Sequence, residues 1–255
     1  MTKLSVSNAV RTSVPGPGSA PASESTPASG PVPGPESVSL AGADSANADA
    51  QRPGTPDVRP PRAIRLVALL GSTRRGSLNG ALLGAARVLS PAGVAIEAFP
   101  IERLPFYDAD LDARDATPEV RALRAAIAAS DGLLVVTPEY NHSLPAVVKN
   151  AIDWASRPPA AAPLAGRPVL LMGATAGRSA VKYALGHAHE ILGFLGARVF
   201  ERRLGIPLAG QLVDAAGELS DPALRAELAA LLADFSAWVR ASGVADDPGR
   251  LEVAA

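Results

Sequence analysis

The chain has 255 residues, a formal net charge of −1, an isoelectric point near 6.3 and no cysteine. The missing cysteines exclude disulfides, thiolate metal sites and cysteine nucleophiles, so any redox chemistry needs a bound cofactor. The near-neutral balance offers no basic field for nucleic acid, and no apolar run approaches the roughly 20 residues that span a bilayer.

The first sixty residues hold ten prolines and no Phe, Tyr or Trp. Such a Pro/Ser/Ala/Gly-rich composition cannot bury enough apolar surface to offset the entropy of ordering it. Residues 1–61 are therefore expected to be a disordered tail, residues 62–243 a single domain, and residues 244–255 a short disordered tail. The N-terminus has no apolar signal region and carries Glu24, Glu36, Asp44, Asp49 and Asp57, unlike an acid-poor transit peptide. A cytoplasmic location is the expectation.

Beyond Pro60-Pro61, apolar runs and turn signals alternate. Ile64 to Leu70 reads as a buried strand stopped by Gly71, and Ser77 to Leu89 as a helix with Ser77 as its N-cap. Val94 to Ala98 is a second strand, followed by a connection from Ile101 to Asp110. Thr117-Pro118-Glu119 opens a helix with an N-cap threonine, proline at the first turn and an acid behind it. Gly132 to Val136 is the third strand and Leu144 to Ser156 the third helix. Arg167 to Met172 is the fourth strand, and Ala180 to Leu195 a helix ended by Gly196. A fifth strand begins at Ala197 to Phe200, and the last helix runs from Ala223 to about Val239.

Five strands alternating with five helices imply an α/β fold, a parallel sheet covered by helices on both faces. The expected topology is doubly wound and flavodoxin-like, in the order 2-1-3-4-5, with a ligand crevice where the first and third strands end. The loops there are Gly71 to Asn79 and Thr137 to Ser143. The first has hydroxyls, two arginines and a helix N-terminus worth about half a positive charge, which suits a terminal phosphate. It lacks the lysine of a triphosphate-binding loop and the G-x-G-x-x-G of a dinucleotide site. In the second, the flat face of Tyr140 and the amides of Glu139 to Asn141 suit the polar edge of a heteroaromatic ring. A third loop, Gly173 to Ser179, places Thr175, Gly177 and Arg178 beside them. His187 and His189 stand two apart on a helix and face different ways, so no metal site is expected.

The first loop follows G-S-x-R-x-x-S-x-N, and Thr137 to Trp154 follows T-P-E-Y-N-x-S-x-P-x-x-x-K-N-A-x-D-W. In these residues the chain resembles the NADPH-dependent FMN reductase family, which includes quinone, azo-dye and chromate reductases. The likeness covers about residues 64 to 240. It implies bound FMN, NADPH or NADH as co-substrate, a small-molecule electron acceptor, and a homodimer or homotetramer. It places Ser72, Arg74, Ser77 and Asn79 on the FMN phosphate, and Pro138, Glu139, Tyr140, Asn141 and Ser143 along the ring and ribityl chain. Leu78, Thr175 and Gly177 complete the expected cofactor-binding set. The third loop departs from the family's S-x-G-x-x-G-G, with Ser179-Ala180 where a glycine pair stands. The implied activity is a hydride relay from NAD(P)H through FMN to the acceptor, with no protein acid, base or nucleophile. Two rival readings are a non-catalytic FMN electron-transfer module serving a partner protein and a flavin-free scaffold.

Overall fold

The computed structural model describes residues 62–114, 116–214 and 216–243. The tails expected at 1–61 and 244–255 lie outside the described residues. Strands β1 (Ile64–Leu70), β2 (Val94–Phe99), β3 (Gly132–Val136) and β4 (Pro168–Ala174) follow the apolar runs in the sequence. The fifth position is shared by β5 (Arg198–Val199), beside the start of β4, and β6 (Leu204–Ile206), beside its end. All pairs are parallel and the order is β2-β1-β3-β4-β5, as the alternation of strands and helices required. The single fifth strand expected from Ala197 is thus two short ones. Phe200 donates its N–H to the Val169 carbonyl at 2.8 Å, and the exposed Glu201, Arg202 and Arg203 then leave the sheet before Leu204 rejoins it.

Among the described residues six α-helices surround the sheet: α1 (Leu78–Leu89), α2 (Ala109–Arg114), α3 (Pro118–Ala129), α4 (Ala146–Ala155), α5 (Lys182–Phe194) and α6 (Pro222–Ala241). Side chains alternate between the two faces of each strand, so a strand covered on both sides is apolar throughout. Val67, Leu69, Leu133, Val135, Val169 and Leu171 pack beneath α3, α4 and α5. Leu66, Ala68, Leu134, Val136, Leu170 and Met172 pack beneath α1 and α6. Among the described residues no helix is long and apolar enough to cross a membrane.

Helix α2 begins at Ala109, inside the connection expected from Ile101 to Asp110, and is too short to show a helical period. Its place is set by charge. Asp112 accepts hydrogen bonds from Arg124 of α3 at 2.6 Å and from Arg157, just past α4, at 3.1 Å. Thr117 does occupy the N-cap of α3 with Pro118 behind it, but its side chain makes no cap bond.

The central strands end in very close approach. Gly71 N–H donates to Val136 O at 2.8 Å, Thr137 N–H to Met172 O at 2.9 Å and Thr175 N–H to Ile206 O at 3.0 Å. The ladder therefore runs past the strands and releases the three loops side by side. A Cβ at Gly173 would stand 2.2 Å from the Thr137 carbonyl oxygen, and one at Gly205 would stand 2.0 Å from that of Ala180. Gly205→Ala must displace backbone rather than a flexible side chain. It should lower stability by about 1–3 kcal/mol, read from urea unfolding, as overpacking of this kind does.

The Asp112 cluster generates a pH prediction. The Arg124 hydrogen bond, opposed by burial and reinforced by Arg157, holds the Asp112 carboxyl below its ordinary value of 3.8. A depressed carboxyl contributes stability in full above its unfolded value and loses it as pH falls through the folded one. Asp112→Ala should therefore unfold at lower urea than the wild type near neutrality. The gap should close as pH drops below 3.8.

Candidate functional site

The first loop opens onto a cavity of about 840 Å³. Ser77 is the N-cap of α1, accepting from Gly80 N–H at 3.2 Å, so its own proton remains to be donated outward. The Ser72 hydroxyl, in a residue 7% exposed, has no hydrogen-bond partner among the described residues. Arg74 is exposed, and among the described residues its guanidinium donates one hydrogen bond, to the Arg75 carbonyl at 3.3 Å. Ser72, Arg74 and Ser77 all line the cavity. Two hydroxyl donors, a guanidinium and a helix N-terminus at one spot fit a phosphate dianion.

Asn79 behaves differently. It is 2% exposed, its Nδ2 donates to Ala174 O at 2.9 Å, and its Oδ1 accepts from Ala174 N–H at 2.9 Å. Both ends of the amide are spent on the end of β4. The side chain expected on the phosphate instead ties the first loop to the third. Leu78, beside it, packs partly buried against the α1 and α6 side of the core.

The second loop is a tight turn. Tyr140 and Ser143 exchange both backbone hydrogen bonds, at 3.0 and 2.9 Å, around Asn141 (φ 51°) and His142 (φ 59°). Two positive φ values mark the hairpin turn whose twist suits its flanks; asparagine accepts that conformation readily, histidine less so. Tyr140 N–H is consumed by the turn and is unavailable to a ring, contrary to the expectation for that amide. The N–H groups of Glu139 and Asn141 have no partner among the described residues. Pro138 is buried and Tyr140 is 52% exposed, so the loop offers two amides and one aromatic face.

The remaining side chains of that loop reach sideways to α5. The Glu139 carboxylate accepts from Tyr183 and Ala184 N–H, at 2.8 and 3.2 Å. His142 stacks on Tyr183 with ring centroids 4.3 Å apart, and Ser143 Oγ lies 3.1 Å from His187 Nδ1. Glu139 and Ser143, expected along the ring, thus aim their side chains at α5. In the third loop, Thr175 Oγ1 accepts from Gly177 N–H at 3.1 Å, and both residues also bond the segment after β6. The left-handed pair in this stretch is Ala180 (φ 50°) and Val181 (φ 49°), one residue beyond the Ser179-Ala180 pair singled out in the sequence. Tyr183 and His187 carry no local signal of their role, because their partners lie 44 residues away.

The cavity includes the phosphate-type donors but none of residues 138–143 or 175–177; from the first loop it runs along α1 towards Phe99, Glu218 and Arg225. Volume and donors thus point in different directions. The donor groups are the better guide, because a planar ring lying across adjacent loops needs amides and a flat face rather than an enclosure. Arg74, Arg75, Arg178 and Lys182 are all exposed on the first loop, the third loop and the start of α5. They give this edge a positive character that a net charge of −1 conceals.

The sequence profile of the NADPH-dependent FMN reductase family matches residues 64–211. An NAD(P)H-dependent FMN reductase of Pseudomonas aeruginosa is 40% identical over 178 residues, covering 69% of this chain and 96% of that protein. A quinone reductase of Escherichia coli is 36% identical over 181 residues, covering 69% of this chain and 96% of its own length. Among solved structures, the flavoenzyme NAD(P)H:(acceptor) oxidoreductase FerB of Paracoccus denitrificans superposes with a TM-score of 0.66 at 29% identity, covering 71% of this chain and 99% of that one. With the sheet order and the two loops in place, the chain belongs to the NADPH-dependent FMN reductase family, an enzyme family that works with FMN and a nicotinamide nucleotide.

Proposed function

We propose that residues 62–243 form an FMN-dependent NAD(P)H oxidoreductase that delivers electrons to a small acceptor such as a quinone, an azo compound, a metal oxyanion or free flavin. One observation carries the assignment of the site. A phosphate-type donor cluster and a turn with free amides leave adjacent strands of one sheet edge, the switch point of this topology. The chemistry supplied by bound FMN is acceptance of hydride from NAD(P)H and delivery of two electrons to a second substrate.

The chain's own residues bind and orient. Ser72, Arg74 and Ser77 hold the phosphate, with Leu78 at the first turn of α1. The amides of Glu139 and Asn141 donate to the ring's polar edge, where negative charge grows on reduction, and fixed donors there favour the reduced form. Pro138 and Tyr140 supply the wall beside it, while Asn79, Thr175 and Gly177 set the third loop's distance. The exposed aromatic face and open edge exclude few planar acceptors. Quinones are favoured because the relatives named above include a quinone reductase. A homodimer or homotetramer in the cytoplasm belongs to the same reading.

Protein supplied with FMN and freed of excess should keep flavin absorption bands that bleach on adding NADPH without oxygen. Bands that persist unbleached would make it an electron carrier fed by a partner, and loss of all flavin would end the assignment. Arg74→Ala should weaken FMN binding at least about tenfold, in line with a charged hydrogen bond worth roughly 1.5–3 kcal/mol. Initial rates with NADPH and a quinone should give parallel double-reciprocal lines, whereas intersecting lines would require both substrates bound together.

A further inference from the structure

Helix α5 begins without an N-cap of its own. Its N-cap position is Val181, whose side chain has no polar atom and whose backbone is left-handed, φ 49°. Valine is among the poorest N-caps, and a branched residue at positive φ is an outlier that the surroundings must enforce. Enforcement is visible here. Val181 is fully buried, and the Ala180 carbonyl sits where any side chain at 205 would begin.

Every amide of this turn nevertheless has an acceptor. Val181 N–H donates to Ser179 Oγ at 3.3 Å and Lys182 N–H to the Ser179 carbonyl at 3.2 Å. Leu185 N–H reaches the Val181 carbonyl at 3.0 Å. The two between them, Tyr183 and Ala184, share one oxygen of Glu139, 44 and 45 residues upstream. A side chain from the second loop thus performs the task that Ser or Asp at 181 would perform. Its charge also complements the positive end of the helix.

The same contact constrains the second loop. Glu139 lies next to the tight turn, and its own free N–H and that of Asn141 are the amides available to a ring. The carboxylate is aimed at α5, where its Oε2 is already engaged by two backbone donors. The His142–Tyr183 stack and the Ser143–His187 contact join the same two elements, but neither satisfies a backbone donor. Glu139 provides the only tie between the second loop and α5, among the described residues, that satisfies two backbone donors at once.

Resting on the FMN reading of the site, we propose that Glu139 is a positioning residue. Its carboxylate caps α5 and thereby fixes the second loop's free amides, without itself touching the flavin. The requirement is reach and an acceptor oxygen more than charge. Glutamine retains both, aspartate keeps the charge but is one methylene short, and alanine retains neither.

The test uses the full chain with Glu139→Ala, Glu139→Asp and Glu139→Gln, read by amide hydrogen exchange without flavin and by FMN titration. The Ala and Asp variants should exchange the Tyr183 and Ala184 amides at least about tenfold faster and bind FMN at least about tenfold more weakly, the scale of a lost charged hydrogen bond. The Gln variant should stay within about threefold of wild type in both, with an unaltered bound-flavin spectrum. Unchanged exchange in the Ala and Asp variants would overturn the cap. Wild-type FMN affinity despite lost protection would overturn the positioning role. So would a Gln variant that keeps its protection yet binds FMN as poorly as the Ala variant, since the carboxylate would then act on the flavin directly. If the wild type itself binds no FMN, the flavin reading falls and the positioning role falls with it, whatever the exchange shows. Should the Ala variant fail to fold, the contrast between Asp and Gln decides the matter alone.

Discussion

The carbonyl oxygen of Thr137 lies 2.2 Å from where a Cβ at position 173 would stand. The ends of β3 and β4 meet only because residue 173 has no side chain, and the neighbouring geometry descends from that contact. Thr137 N–H can then reach Met172 O, so the second and third loops leave the sheet together. Gly71 does the same for β1, since a Cβ there would meet Val148 Cγ2 at 2.7 Å and Thr137 Oγ1 at 2.9 Å. A parallel sheet presents the carboxyl ends of its strands on one edge; tight packing of those ends turns the edge into a site.

Polar side chains at this edge divide into two kinds of work. Asn79 and Glu139 have enough reach to cross between loops, and both are spent on backbone: Ala174 for one, the first turn of α5 for the other. Ser72, Ser77 and Arg74 cannot span loops, or do not, and their donors remain turned to the cavity. A buried polar group left unpaired costs more than a typical hydrogen bond returns. Residues with two acceptor or donor ends are therefore well suited to ties, and single hydroxyls to ligands. Rigid ties matter because donors already in place when charge develops need no reorganisation.

The charge distribution supports the same division. Both carboxylates discussed above are engaged by donors, Asp112 by two arginines and Glu139 by two amides at a helix end. The arginines of the first and third loops have no carboxylate partner within salt-bridge distance among the described residues, and they stay exposed. An anionic ligand would meet a positive edge here on a protein whose net charge is slightly negative, and attraction of this kind is local, reaching roughly a Debye length of 8–10 Å.

Much of this was legible in one dimension. Strand positions, their order, the two faces of helices and the two motif loops follow from apolar periodicity, Gly and Pro punctuation and residue type, because those signals act within a few neighbours. The split of the last strand at Phe200, the short helix α2 and the left-handed step at Ala180-Val181 were not legible. Each depends on a partner far along the chain: Val169 for Phe200, Arg124 and Arg157 for Asp112, Gly173 and Gly205 for the step. The sequence by itself determined that a doubly wound α/β domain would carry a phosphate-type loop beside an aromatic one, since both loops are local patterns at strand ends. Only the tertiary structure decided which of those polar residues stay turned to the cavity and which hold loops together. Asn79 and Glu139 sit within motifs read as ligand contacts, yet their partners lie 95 and 44 residues away, and no local pattern records what the fold brings to a side chain's end.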